Sequence, residues 1–206
     1  IVLTDEEMRD LAELCRSRGV LLLSDEIYDL FTYSAARDAR DRAPSPALHG
    51  QDMLIVRGFG KNYGCTGWRL GFAAGPTWLI QQMIKFQQYS FVCAPSMAQH
   101  AVMAAHQVDM SPWVEAYEHK RDLVLKHLAP VTNVAAPEGA FYAFPEVPAS
   151  LGMTGTQFTE SLLDHNVIAI PGGVFSNRDS HMRISYATED EALEAGLKAI
   201  AQAMKG

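Results

Sequence analysis

Apolar side chains recur at Met8, Leu11, Ala12 and Cys15, the spacing that lines one face of a helix. Thr4 and Glu7 form a capping-box pattern at its start: the threonine hydroxyl accepts from the glutamate amide, and the glutamate reaches back. Leu3 and Met8 stand at the staple positions on either side, and Gly19 marks the end. The period then changes. Val20 to Leu23 is a continuous apolar run, which predicts a strand buried on both faces, with Asp25 just beyond its carboxyl end. Two more runs predict strands near Met53–Val56 and Leu70–Ala74, and helical patterns cover about residues 77–89 and 95–108.

Ser111 followed by Pro112 reads as an N-cap with proline at the first helical position. The helix they open runs to about Leu128, where Lys126 and His127 suit the negative end of its dipole. Beyond it, residues 140–144 and 182–187 read as strands, and residues 156–166 and 189–204 as helices. A second capping-box pattern, Thr188 to Glu191, opens the last of these. Alternating helices and apolar strands predict an α/β layer with a mainly parallel sheet over residues 1–111. A linking helix and a smaller α+β domain fill residues 112–206. In open parallel sheets, ligands bind outside the carboxyl ends of the strands. Asp25 and Lys61 each follow a strand, which predicts that they face one crevice.

Composition narrows the function classes. The 206 residues are 48% hydrophobic and 20% charged, as in ordinary globular proteins. A net charge of −7 argues against nucleic acid or an anionic membrane surface as partner. Cys15, Cys65 and Cys93 are too few and too scattered for a disulfide framework, which points to a reducing, cytoplasmic setting. The seven histidines show no metal-ligand spacing, and no apolar run is long enough to span a membrane. The chain opens Ile1-Val2-Leu3 and enters a helix start almost at once, so it reads as a segment of something longer.

Five residues carry candidate chemistry. Asp25, in "LLLSDEIYDLF", is either a cap on the turn after a strand or a carboxylate held at the strand mouth, where it can keep a proton on a ring nitrogen. Tyr28, three residues on, either edges the core or projects toward the same place. Lys61 sits among glycines 58, 60, 64, 67 and 71, which let backbone approach a bound group closely. A lysine desolvated there loses its proton more easily, as covalent amine chemistry requires; the plainer reading is a solvated loop lysine. Arg69 offers a fork suited to phosphate, or else a structural ion pair. Arg183, in "HMRISYA", lies within an apolar strand, where a guanidinium is costly unless paired. Its partner is either a local carboxylate or the carboxylate of a substrate. No GxxxxGK[ST] motif is present, which disfavours nucleotide binding by that route.

The set "SDEIYDLFTY", "GFGKNYGCTGWRLGFAAGP", "PEGAFYAFP", "IAIPGGVF" and "MRISYA" spans essentially the whole chain in that order. It resembles the class I/II aminotransferases of the aspartate-aminotransferase fold (fold type I), which use pyridoxal 5′-phosphate. The block from Lys61 through Gly-Trp-Arg-Leu-Gly is its most specific part. The resemblance implies that Lys61 forms a Schiff base with the cofactor and then shuttles a proton between the substrate Cα and the cofactor. It implies that Asp25 pairs with the pyridinium nitrogen, that Tyr28 hydrogen-bonds the 3-oxygen and that Arg69 holds the phosphate. Arg183 would take the substrate α-carboxylate, which suits its bidentate fork.

The same resemblance implies transfer of an amino group between an amino acid and a 2-oxo acid, in a homodimer with active sites at the subunit interface. It makes the chain the C-terminal part of such an enzyme: the end of the large cofactor domain plus the small domain. The family's glycine-rich phosphate-binding helix start, its ring-stacking aromatic residue and its Asn-Pro stretch would all precede Ile1. Where the family often has serines just before the lysine, this chain has Gly58 and Gly60, so phosphate contacts would rest more on backbone amides and Arg69. Two rival functions share the motifs: a β-eliminating lyase of the same fold, and a non-catalytic regulator that binds the cofactor.

Overall fold

The computed structural model describes residues 1–206, which divide into two compact units, Ile1–Pro112 and Trp113–Gly206. In the first, helix α1 (Asp5–Ser17) starts at the expected capping box. The Glu7 amide donates to Thr4 Oγ1 at 3.2 Å, and the Thr4 amide donates to Glu7 Oε2 at 2.8 Å. It ends at Gly19, whose φ of +63° favours glycine. The Gly19 amide donates to the Arg16 carbonyl and the Val20 amide to the Cys15 carbonyl, as in a Schellman motif.

Three strands follow: β1 (Leu22–Asp25), β2 (Met53–Gly58) and β3 (Gly71–Ala74), in spatial order β1-β2-β3. β1 runs parallel to β2 with Asp25 opposite Val56, whereas β3 returns antiparallel with Gly71 opposite Gly58. The α/β class holds, and over these residues the sheet is mixed. Ala12 of α1 packs with Met53 and Ile55, and Leu22 joins them.

Two sequence expectations about β1 change. The strand begins two residues later than the apolar run, so Asp25 is its last residue rather than a residue beyond it. It is also not buried on both faces, because Leu21 and Leu23 remain 44% and 57% exposed. Only the side toward α1 is covered, and an apolar run records hydrophobicity without recording which face is packed. After β2 comes the short helix α2 (Phe59–Asn62). Helices α3 (Thr77–Ser90) and α4 (Ser96–Ala105) follow β3. Phe59, Leu70 and Val102 form a second buried cluster beneath the Lys61 turn.

Helix α5 (Ser111–Leu128) starts at the end of the first unit and contributes Leu123, Val124 and Leu128 to the core of the second. A small sheet has β6 (Met182–Ser185) in the centre, antiparallel to both β4 (Tyr142–Ala143) and β5 (Ile170–Pro171). Helices α6 (Gly155–Ser161) and α7 (Asp190–Ala203) supply buried Phe158, Leu193, Leu197 and Ile200. β5 carries no sequence signal, being two residues long and ending in proline. The capping box expected at Thr188–Glu191 does not form: the N-cap is Glu189, with no side-chain cap. Lys120 Nζ instead donates to the Thr188 carbonyl at 2.7 Å and pairs with Asp190. A capping box forms at α6, where the Gln157 amide donates to Thr154 Oγ1 at 3.2 Å and the Thr154 amide to Gln157 Oε1 at 2.9 Å.

Asp179 ties the loop before β6 to the start of α6. The Gly155 amide donates to its carbonyl at 2.7 Å, and the Thr156 amide donates to both carboxylate oxygens, at 3.0 and 3.2 Å. Hydrogen bonds from the Thr156 side chain and then its amide hold the carboxyl below its ordinary value of 3.8. With the folded pKa below the unfolded one, this contribution is fully present above the unfolded value and is lost as pH falls through the lower, folded value. Asp179→Asn is therefore expected to lower stability near neutral pH and to flatten its fall on acidification. Thermal unfolding followed from about pH 7 to about pH 3 checks this.

Candidate active site

β1 and β2 are parallel neighbours, so the segments that leave their carboxyl ends start from the same edge of the sheet. Asp25, at the end of β1, is exposed, and its Oδ1 accepts from the Ile27 amide at 3.1 Å. It thus caps the turn while presenting a carboxylate at the strand mouth. Tyr28 is half-buried and opens a 3-10 turn over Asp29–Phe31. Lys61 is half-buried on α2, the single helical turn after β2, so it is not the fully solvated lysine of the plainer reading.

A direct bond joins these segments: Asn62 Nδ2, next to Lys61, donates to Asp29 Oδ1, next to Tyr28, at 2.6 Å. The Lys61 turn is fastened on its other side by the Phe59 amide donating to the Leu70 carbonyl at 3.1 Å. Cys65 Sγ also donates to the Phe59 carbonyl, at 3.3 Å. Arg69 lies in the same loop, exposed, with a left-handed backbone at φ +53°, uncommon for a non-glycine residue. Its Nη1 donates to the Thr66 carbonyl at 3.1 Å, and no carboxylate pairs with it. The structural ion pair entertained for Arg69 is absent.

The glycines around Lys61 divide by role. A Cβ on Gly58 would fall 2.2 Å from Ile27 Cδ1, one on Gly60 3.2 Å from Thr66 Cα, and one on Gly71 2.7 Å from the Arg57 carbonyl. These three let chain pack closely on chain. Gly64, at φ +66°, and Gly67 face open space.

Sequence reading passed over the polar groups behind these residues. Glu26 Oε2 accepts from Arg57 Nε at 2.9 Å and from Nη2 at 2.7 Å. Its Oε1 accepts from Ser45 Oγ at 2.6 Å and Ser24 Oγ at 3.2 Å. Arg57 Nη1 lies 3.3 Å from Asp29 Oδ2. Burial, and then the nearby Asp29 carboxylate, pushes the Tyr63 phenol above its ordinary pKa. A signal for this group was present. Arg57 ends an apolar run beginning at Met53, the same anomaly that singled out Arg183.

Arg183 belongs to the second unit, on β6 opposite Ile170. Its Cζ lies 4.5 Å from the centre of the Tyr142 ring and 4.4 Å from that of Phe175. No carboxylate pairs with it, so the local salt bridge is absent. Two aromatic faces stabilise the cation by about 0.5–1 kcal/mol each at partly exposed sites. They do so without consuming its N–H donors on a carboxylate, so the fork is available to an anion.

The first unit thus presents an amine, a carboxylate and a phenol from one sheet edge, with a guanidinium in the lysine loop. That donor set suits an aldehyde-bearing, phosphorylated pyridine.

The family model for aminotransferase class I and II matches residues 1–200. The chain is 34% identical over 215 residues to an aspartate aminotransferase of Geobacillus stearothermophilus, covering 100% of this chain and 54% of the relative. It is 32% identical to aromatic-amino-acid aminotransferase 2 of Thermococcus litoralis, covering 99% and 54%. The crystal structure of an aromatic aminotransferase from Pyrococcus horikoshii superposes with a TM-score of 0.89 at 32% identity, covering 99% of this chain and 56% of that one. The chain spans about half the length of the curated relatives it matches. It belongs to the class I and II aminotransferases.

Proposed function

We propose that the full-length protein is a pyridoxal-phosphate-dependent aminotransferase that moves an amino group between an amino acid and a 2-oxo acid. The observation that carries the proposal is the half-buried Lys61 on the turn after β2, tied by Asn62 to the segment that bears Tyr28 and follows Asp25. When bound, the cofactor supplies an electron sink for the bond-breaking at the substrate Cα. Lys61 Nζ would be the amine that holds the cofactor. The same amine would serve as the base at the substrate Cα.

The Asp25 carboxylate would keep a proton on the ring nitrogen, and the Tyr28 hydroxyl would hydrogen-bond the ring oxygen. Arg69, whose Nη1 donates to the Thr66 carbonyl, would take phosphate oxygens with its remaining donors. Arg183 of the second unit, flanked by Tyr142 and Phe175, takes the substrate α-carboxylate.

The test uses full-length protein equilibrated with pyridoxal phosphate, reduced with borohydride and mapped by peptide mass spectrometry. The label is expected on Lys61. Lys61→Ala is expected to lose both label and visible absorbance, with turnover down by about 10²–10⁴. A label on another lysine, or a band that survives the substitution, contradicts the proposal. Arg183→Lys keeps the charge but not the fork. It is expected to raise KM for the amino acid roughly tenfold, the loss of one charge-assisted bond of about 1.5 kcal/mol, with cofactor absorbance unchanged. An unaltered KM rules out the carboxylate role.

A further inference from the structure

Asp25, Tyr28 and Lys61 sit on three different local structures: a strand end, a 3-10 turn and a short helix. A cofactor held by all three needs them in fixed mutual positions, since misplacement by about 1 Å at a site is costly. Nothing in the strand ladder does this alone, because Tyr28 and Lys61 both lie past the ends of their strands. One polar network reaches the neighbour of each. Glu26 follows Asp25, Asp29 follows Tyr28 and Asn62 follows Lys61.

Arg57 is the hub. Two of its nitrogens hold Glu26 Oε2, at 2.9 and 2.7 Å, while the third approaches Asp29 Oδ2 at 3.3 Å. Asp29 uses its other oxygen to accept from Asn62 at 2.6 Å. The Glu26 side chain is only 8% exposed, and a carboxylate so buried is strongly destabilising without its cation. The planar guanidinium suits this task, because a single rigid group spans two carboxylates in fixed directions. Asn62 adds a second sign of a held geometry. Its Nδ2 also reaches the Gly58 carbonyl at 3.5 Å, so the buried side chain is tied to the end of β2 as well as to Asp29.

We infer that Arg57 is a positioning residue for the cofactor site: through Glu26, Asp29 and Asn62 it sets the mutual placement of Asp25, Tyr28 and Lys61, and thereby the affinity for the cofactor. The inference rests on the assignment of those three residues to pyridoxal phosphate under the proposed function. It differs from a purely structural role in a measurable way. A structural ion pair lowers the unfolding midpoint and leaves the folded molecules with unchanged cofactor affinity. A positioning group weakens cofactor binding in molecules that are fully folded.

The experiment measures the Kd for pyridoxal phosphate, and the unfolding midpoint without it, on the full-length protein and on Arg57→Met, Arg57→Lys and Asn62→Ala. Arg57→Met is expected to raise Kd roughly tenfold or more. Arg57→Lys restores the charge without the two-carboxylate fork and is expected to fall between it and the wild type. Asn62→Ala removes the bond between Asp29 and the Lys61 turn while leaving the Glu26–Arg57 pair intact. It is expected to raise Kd severalfold with little change in midpoint, and it carries the test if Arg57→Met does not fold. Folded variants that bind pyridoxal phosphate with wild-type affinity overturn the inference. Wild-type protein that takes up no cofactor at Lys61 overturns instead the reading on which it rests.

Discussion

A parallel pairing, β1 beside β2 with Asp25 opposite Val56, decides where chemistry can stand in the first unit. Parallel neighbours end at the same edge of a sheet, so whatever follows them emerges there together. One exit carries Asp25, the Ile27 turn and Tyr28; the other carries Gly58 and the single helical turn with Lys61. The antiparallel return of β3 closes the lysine loop against β2, with Gly71 too near the Arg57 carbonyl to accept a side chain. The edge is then finished in polar bonds. Glu26 is buried, and its charge is answered by Arg57 and two serine hydroxyls.

The second unit solves a similar problem by different means. An arginine in the central strand of a small sheet needs stabilisation, and here the rings of Tyr142 and Phe175 supply it. An ion pair would have occupied the fork; aromatic faces hold the cation and leave its donors for an incoming anion. The nearby His181 ring stacks on Phe144 with centres 5.1 Å apart, extending the aromatic wall along the same sheet. Arg57 and Arg183 thus show two fates of an arginine in an apolar run. One is paired with Glu26 and Asp29, and the other lies against two aromatic rings.

Much of this was legible in the residues. Side-chain periodicity located all the longer helices, and the Thr4–Glu7 box formed as its pattern required. Lys61, Asp25, Arg69 and Arg183 stand out by type and spacing. Other features were not legible because they depend on partners distant in sequence. The Thr188–Glu191 pattern has the right letters, yet Lys120, far upstream, takes the Thr188 carbonyl and pairs with Asp190. β5 exists only because β6 pairs with it. The apolar run at Val20–Leu23 shows how greasy a strand is, and not that one of its faces stays uncovered. The glycines near Lys61 look alike in sequence, but space around each separates packing glycines from open ones. Arg57 was visible as an anomaly, and only the fold reveals that it bridges Glu26 and Asp29.

The central claim is that this chain carries the lysine and carboxylate that hold pyridoxal phosphate from opposite ends of its ring. The most direct measurement is a crystal structure of the full-length protein with the cofactor bound. The account predicts continuous density from Lys61 Nζ to the cofactor, with an Asp25 carboxylate oxygen within about 3 Å of the ring nitrogen. A cofactor joined to another residue, or a ring nitrogen facing a group other than Asp25, would contradict it.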